Sequence, residues 1–197
     1  MKLRPLLQAG AQSGTIMAVS DIGTQVWEKS SSSPSTTTSW KLNELDAART
    51  VRWTVAGVIL HGPYFATGFS LLDRQFGVAT PLRTVVTKTA AAQFLLFPPY
   101  LIALFGLLGV LEGLPPTQVM DKIRHRVPEV FVHGCAFWPV ANVVNFALVS
   151  PTLRVPYVAA CAGVWNSYLS WTNARDDAEG DSVGKAIQQD KKDNIMA

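Results

Sequence analysis

Four stretches of 20 or more residues carry no formal charge, and that pattern restricts the fold of this chain more than any other feature. Trp53 to Leu72 gives 20 such residues, Thr89 to Leu111 gives 23, Val130 to Leu153 gives 24 and Val155 to Ala174 gives 20, with His counted as neutral. A helix rises about 1.5 Å per residue, so about 20 residues cross a hydrocarbon layer roughly 30 Å thick. Four such runs in 197 residues are too many for the core helices of a soluble domain. The predicted fold is an all-α integral membrane protein, a bundle of four to five transmembrane helices with proline kinks.

Composition agrees once two polar blocks are set aside. Charged residues make up 16% of the chain, against roughly 25% in an ordinary soluble domain. The mean hydropathy of +0.19 is pulled down by a Ser/Thr/Pro run at Ser30–Ser39 and a charged tail from Arg175 to Ala197. A net charge of +3 without a Lys/Arg stripe interleaved with aromatics gives no footing for nucleic acid. Cys135 and Cys161 both lie in apolar surroundings and read as buried free thiols. The start Met-Lys-Leu-Arg-Pro is followed by Gln8, Gln12 and Ser13 instead of a secretory apolar core, and it lacks the Arg-rich length of a strong presequence. Targeting, if mitochondrial, would then be internal. The C-terminal Asn-Ile-Met-Ala is not a peroxisomal Ser-Lys-Leu signal.

A fifth span, Leu6 to Trp27, emerges from helical phase. Gly10, Gly14, Asp21 and Gln25 are spaced by 4, 7 and 4 and so share one face. Gly10 and Gly14 form a small-xxx-small pair that lets another helix approach closely, and Gly109 and Gly113 repeat the spacing. A carboxylate facing lipid at mid-bilayer costs about 2.5–3.5 kcal/mol, so Asp21 must face inward or lie near an interface. Residues 1–175 form one domain, with spans about 6–27, 53–72, 89–111, 130–150 and 155–174. Residues 30–39 are a linker and 41–52, with Asp46, Arg49 and Arg52, a polar lead-in. A short interfacial helix over about 117–126 presents Lys122, Arg124 and Arg126, either to anionic lipid or to solvent. Residues 176–197 are a charged tail. Pro63, Pro98, Pro99, Pro139 and Pro156 kink the spans, and Pro98-Pro99 should bend or break the third. Pro151 and Pro156 bracket the last turn. Lys and Arg are more numerous on the side that holds the tail, which orients the bundle.

Polar residues inside the apolar runs are the candidate functional groups. Asn142 and Asn145 are three apart and share a face, and Gln93 follows the same logic. Such amides either line a wet path or clamp a neighbouring helix, with hydrogen bonds worth about 0.6 kcal/mol each in measured bundles. Asp21 and Gln25 carry the same two readings. His61 and His133 have no second and third ligand at metal spacing and read as packing residues. No nucleophile elbow, phosphate loop or paired carboxylates point to an enzyme, and no cofactor is implied.

Several motifs in register are similar to one known family. Trp138-Pro139-Val-Ala-Asn142-Val-Val-Asn145-Phe146 resembles a Trp-Pro-x-x-Gln-x-x-Asn-Phe signature, and Trp165-Asn166-Ser167-Tyr168-Leu169-Ser170-Trp171 a closing Trp-Asn-x-Tyr-Leu-Ser motif. Upstream lie Gly62-Pro63 with Leu72-Asp73-Arg74, then Leu111-Glu112-Gly113, and in the first helix Asp21-Ile-Gly-Thr-Gln25. Together they resemble the Mpv-seventeen/22-kDa peroxisomal membrane protein family from about residue 5 to 175. The chain departs from the pattern at Asn142 for Gln, at Gly68-Phe69 for an aromatic pair and at Ala92 for Asp. The resemblance implies a small multi-span protein of the mitochondrial inner membrane, or alternatively the peroxisomal membrane. It further implies weakly selective passage of small solutes and a part in mitochondrial homeostasis. Two functions then stand side by side. One is a channel in which Asp21, Gln25, Gln93, Asn142 and Asn145 converge on a polar path. The other is a non-catalytic accessory subunit of a larger mitochondrial membrane complex. The expected partners are membrane lipids and other membrane subunits or further copies of the chain.

Overall fold

A computed structural model describes residues 3–32, 45–77, 81–148, 157 and 160–174. The regular structure among them is helical, in five rods: α1 Leu3–Ser32, α2 Ala47–Phe76, α3 Leu82–Leu111, α4 Pro116–Ala147 and α5, residues 160–174. The linker beyond Ser32, the Pro151–Pro156 turn and the tail 176–197 lie outside the described residues. The linker starts later than its composition suggests, because α1 continues through Ser30, whose Oγ donates to the Val26 carbonyl at 2.9 Å.

Local chemistry sets the helix ends. Asp46 caps α2 by accepting the Arg49 N–H at 2.9 Å. At the far end of α3, Gly113 takes φ +77° and the Leu114 N–H closes on the Gly109 carbonyl at 3.0 Å, a glycine stop. Gly113 therefore ends a helix instead of packing one: nothing lies within 4 Å of where its Cβ would be. Gly109 does pack, since a Cβ there would stand 3.0 Å from Val119 Cγ2 of α4.

Both of the 30-residue helices α2 and α3 contain one widened turn with i→i+5 hydrogen bonds. In α2 it is Gly57–His61, directly before Gly62-Pro63; in α3 it is Ala92–Leu96, directly before Phe97-Pro98-Pro99. Such a turn accommodates the ring and the missing N–H of the proline that follows, so Pro98-Pro99 does not break α3. The expected interfacial helix over 117–126 is likewise not separate, for α4 runs unbroken from Pro116 to Ala147 through Pro128 and Pro139. A single proline forfeits one backbone bond, and two of the three charges that seemed to demand an interface, Lys122 and Arg126, are buried in ion pairs, as shown below.

Among the described residues, α2 and α3 are long and apolar enough to cross a membrane. The bundle as a whole is turned inside out relative to a water-soluble one. Asp21, Gln25, Arg49, Asn166, Ser170 and Asn173 are buried, whereas Phe69, Leu71, Phe94, Leu95, Val132 and Val164 are more than half exposed. Large apolar side chains exposed on every one of these helices are expensive in water and natural in lipid. The central layer is apolar: Met17, Trp53, Tyr100, Leu101, Leu104, Phe105, Trp165 and Leu169.

Helices α1 and α2 meet on small residues. A Cβ on Gly10 would lie 2.6 Å from the Val58 carbonyl oxygen, and one on Gly57 would lie 2.6 Å from Gly14 Cα. Gly62 sits still closer, with Ala9 O 2.4 Å from its would-be Cβ. This seam brings the two helices into the backbone contact that the spacing of Gly10 and Gly14 implies.

Candidate functional site

Asp21, fully buried on α1, is the centre of the first polar cluster. Its Oδ1 accepts from Ser170 Oγ at 2.5 Å and lies 2.7 Å from Arg49 Nε; its Oδ2 accepts from Thr50 Oγ1 at 2.6 Å and from Gln25 Nε2 at 2.8 Å. Gln25 also takes the Asp46 N–H on its Oε1 at 2.7 Å. Arg49 donates from Nη1 to Glu28 Oε2 at 2.8 Å and from Nη2 to Ser170 Oγ at 2.8 Å. Three helices are thereby joined: α1 through Asp21, Gln25 and Glu28, α2 through Arg49 and Thr50, and α5 through Ser170. Every oxygen of Asp21 is engaged, which is what a buried carboxylate needs to remain charged in a low dielectric.

A second cluster closes the α3–α4 turn onto α5. Lys122 Nζ reaches Glu112 Oε2 at 2.5 Å, with both side chains less than a tenth exposed, and Asn173 Nδ2 donates to Glu112 Oε1 at 2.9 Å. One turn further along α4, Arg126 pairs with Glu129 at 2.7 Å. The basic face expected of residues 117–126 is thus largely consumed within the protein. Of Lys122, Arg124 and Arg126, Arg124 alone is exposed, and it stands 4.0 Å from Asp121.

The other polar candidates lie elsewhere. A cavity of about 360 Å³ opens between α2, α3, α4 and α5, with Gln93, Asn142 and Asn166 among its walls. Phe65, Phe69, Phe97, Tyr100, Trp138 and Trp165 supply most of the rest, along with Lys88 and Thr89. On α3 the lining runs from Lys88 to Tyr100, about 18 Å along the helix. His61, whose Nδ1 is 2.8 Å from Tyr100 Oη, ties α2 to α3 at one end of the cavity. Gln93 donates weakly from Nε2 to Cys135 Sγ at 3.3 Å, and both thiols are free. His133 shares a hydrogen bond with Tyr168 Oη at 2.6 Å. Among the described residues no group of three His, Cys, Asp or Glu is placed to hold a metal ion.

The five residues that the sequence nominates together are therefore divided. Asp21 and Gln25 are locked in the first cluster; Gln93 and Asn142 face the cavity; the Asn145 side chain, like that of Phe146, lies outside the described residues. Arg49 is about 18 Å along α2 from His61, and Trp53, Tyr100 and Leu104 are buried in the apolar core. Of the motif residues, Trp138, Trp165 and Asn166 line the cavity, Tyr168 bonds His133, and Gly62-Pro63 follows the widened turn of α2. Pro139 is inside α4 and exposed.

Comparison with known proteins gives a consistent neighbourhood. The sequence model of the Mpv17 / PMP22 family matches residues 109–170. The mitochondrial inner membrane protein Mpv17 of Drosophila melanogaster is 28% identical over 170 residues, covering 86% of this chain and 96% of the fly protein. Protein sym-1 of Neurospora crassa is 29% identical over 173 residues, 87% of this chain and 94% of its own. Protein sym1 of Aspergillus oryzae is 30% identical over 135 residues, 68% of this chain and 76% of its own. No solved structure matches.

Proposed function

The chain belongs to the Mpv17 / PMP22 family, and on that premise we propose that all five helices cross the mitochondrial inner membrane and that the cavity among them admits and passes small solutes. The address follows from kinship with the fly protein named for that membrane. In this reading passage is weakly selective and serves mitochondrial homeostasis. The carrying observation is the elongated cavity itself, where the amides of Gln93, Asn142 and Asn166 stand among aromatic walls at the depth of the apolar runs. Amides at that depth offer a solute hydrogen bonds in place of water, while the aromatic walls supply contact area without charge.

In this reading passage requires the apolar core around Trp53, Tyr100 and Leu104 to part. Purified protein in liposomes is expected to leak small entrapped solutes faster than empty liposomes do. Gln93→Leu combined with Asn142→Leu is expected to slow that leak by about five- to tenfold, the loss of two amide contacts of roughly 0.6 kcal/mol each. Protein that passes no solute under any condition, and that extracts only as part of a larger particle, would instead be an accessory subunit held by its polar clusters.

A further inference from the structure

We propose that α5 is a movable wall of the cavity, a helix latched at its C-terminal end by the two carboxylates Asp21 and Glu112 and able to swing clear when they release it. The helix has two functional faces. Ala162, Trp165 and Asn166 close the cavity, while Ser170 and Asn173 reach away from it to the latches. Each latch is a three-part node in which a carboxylate already paired with a cation of another helix also accepts from α5. Asp21 holds Arg49 and takes Ser170; Glu112 holds Lys122 and takes Asn173. When α5 leaves, both carboxylates keep their cations, so opening strands no charge. That separates a latch from a structural clamp, whose release would leave a buried ion alone.

A second, independent observation concerns how α5 is seated. Among the described residues five buried side-chain polar atoms lack a hydrogen bond, and three of them, Trp165 Nε1, Asn166 Oδ1 and Asn173 Oδ1, belong to this one helix. Buried groups of this kind are costly, and α5 carries more of them than any other helix among the described residues.

The native cysteines report the motion. Cys161 precedes Ala162 of the cavity wall, Cys135 of α4 accepts from Gln93 of α3, and both are half-buried. In full-length protein in lipid nanodiscs, Ser170→Ala and Asn173→Ala are each expected to raise the rate at which a small hydrophilic maleimide labels Cys161 by roughly tenfold, since each deletes a hydrogen bond to a charged acceptor. Ser170→Thr, which keeps the hydroxyl, should stay near the wild-type rate. On the unaltered chain, hydrogen exchange should release the amides of residues 160–174 as a unit and ahead of residues 97–111 of α3. Unchanged labelling in both alanine variants, or exchange in α5 as slow as in α3, overturns the proposal. Labelling reads the motion and not the passage of solute, so a chain that opens α5 yet leaks nothing removes the transport reading and leaves the movable helix standing.

Discussion

Asp21→Ala is expected to cost about 3–5 kcal/mol of stability, the loss typical when one member of a buried ion pair is removed. The deletion strips the acceptor from Gln25, Thr50 and Ser170 at once and takes away the carboxylate 2.7 Å from Arg49 Nε. Arg49 keeps Glu28 as a partner, which is why the loss stays within that range instead of unfolding the bundle outright. Asp21→Asn preserves the shape and one acceptor oxygen, and should lose about 1.5–3 kcal/mol. The double change Asp21→Ala with Arg49→Met should recover part of the loss, because it leaves no buried charge facing an empty site. Unfolding in detergent, followed by the native tryptophans, checks all three. An Asp21→Ala protein that melts with the wild type would mean that α1, α2 and α5 are not joined at this node.

The rods of the fold were legible in the sequence because charge is the one property a lipid-embedded helix cannot hide. The charge-free runs at 53–72 and 89–111 lie inside α2 and α3. Their ends were not legible. The charge-bearing segments Ala47 to Arg52 and Leu82 to Lys88 continue a helix beyond the apolar run, since helix length answers to the Asp46 cap and the start after Pro81 as well as to the membrane. The break expected between residues 126 and 130 failed for a related reason. Lys122 and Arg126 suggested an interface only while their partners were unknown, and Glu112, ten residues away across the Gly113 turn, supplies one of them.

The candidate site was half visible. Helical phase put Asp21 and Gln25 on one face, but nothing in a single segment says which distant residues meet that face. Arg49 had a usable signal, for it stands four and seven residues before the buried Trp53 and Ala56 and so shares their side of α2. Ser170 had none: a hydroxyl in an apolar run is compatible with back-bonding to its own helix, and only the assembled bundle shows it between Asp21 and Arg49. The assumption that buried polar residues converge on one path was the weak step. They fall into two groups: Gln93 and Asn142 line the cavity, while Asp21 and Gln25 are hydrogen-bonded into a separate cluster.

The seam between α1 and α2 should be the other place where small changes have large effects. Gly62→Ala adds a methyl 2.4 Å from the Ala9 carbonyl oxygen, and Gly57→Ala adds one 2.6 Å from Gly14 Cα. In both cases the obstacle is backbone, which cannot rotate aside as the end of a side chain can, so the helices must separate. Each alanine is expected to destabilise by about 1–3 kcal/mol, and leucine by more. The loss should propagate, since parting α1 from α2 also parts Asp21 from Arg49 and loosens the node that fastens α5. Gly23→Ala is the matched control. Its would-be Cβ meets nothing within 4 Å, so better helix propensity should leave the protein as stable as wild type or up to about 1 kcal/mol more stable. Equal unfolding midpoints for Gly57→Ala, Gly62→Ala and Gly23→Ala would show that α1 and α2 do not touch through backbone. A drop confined to the first two would tie the fastening of the cavity wall to two glycines that carry no chemistry of their own.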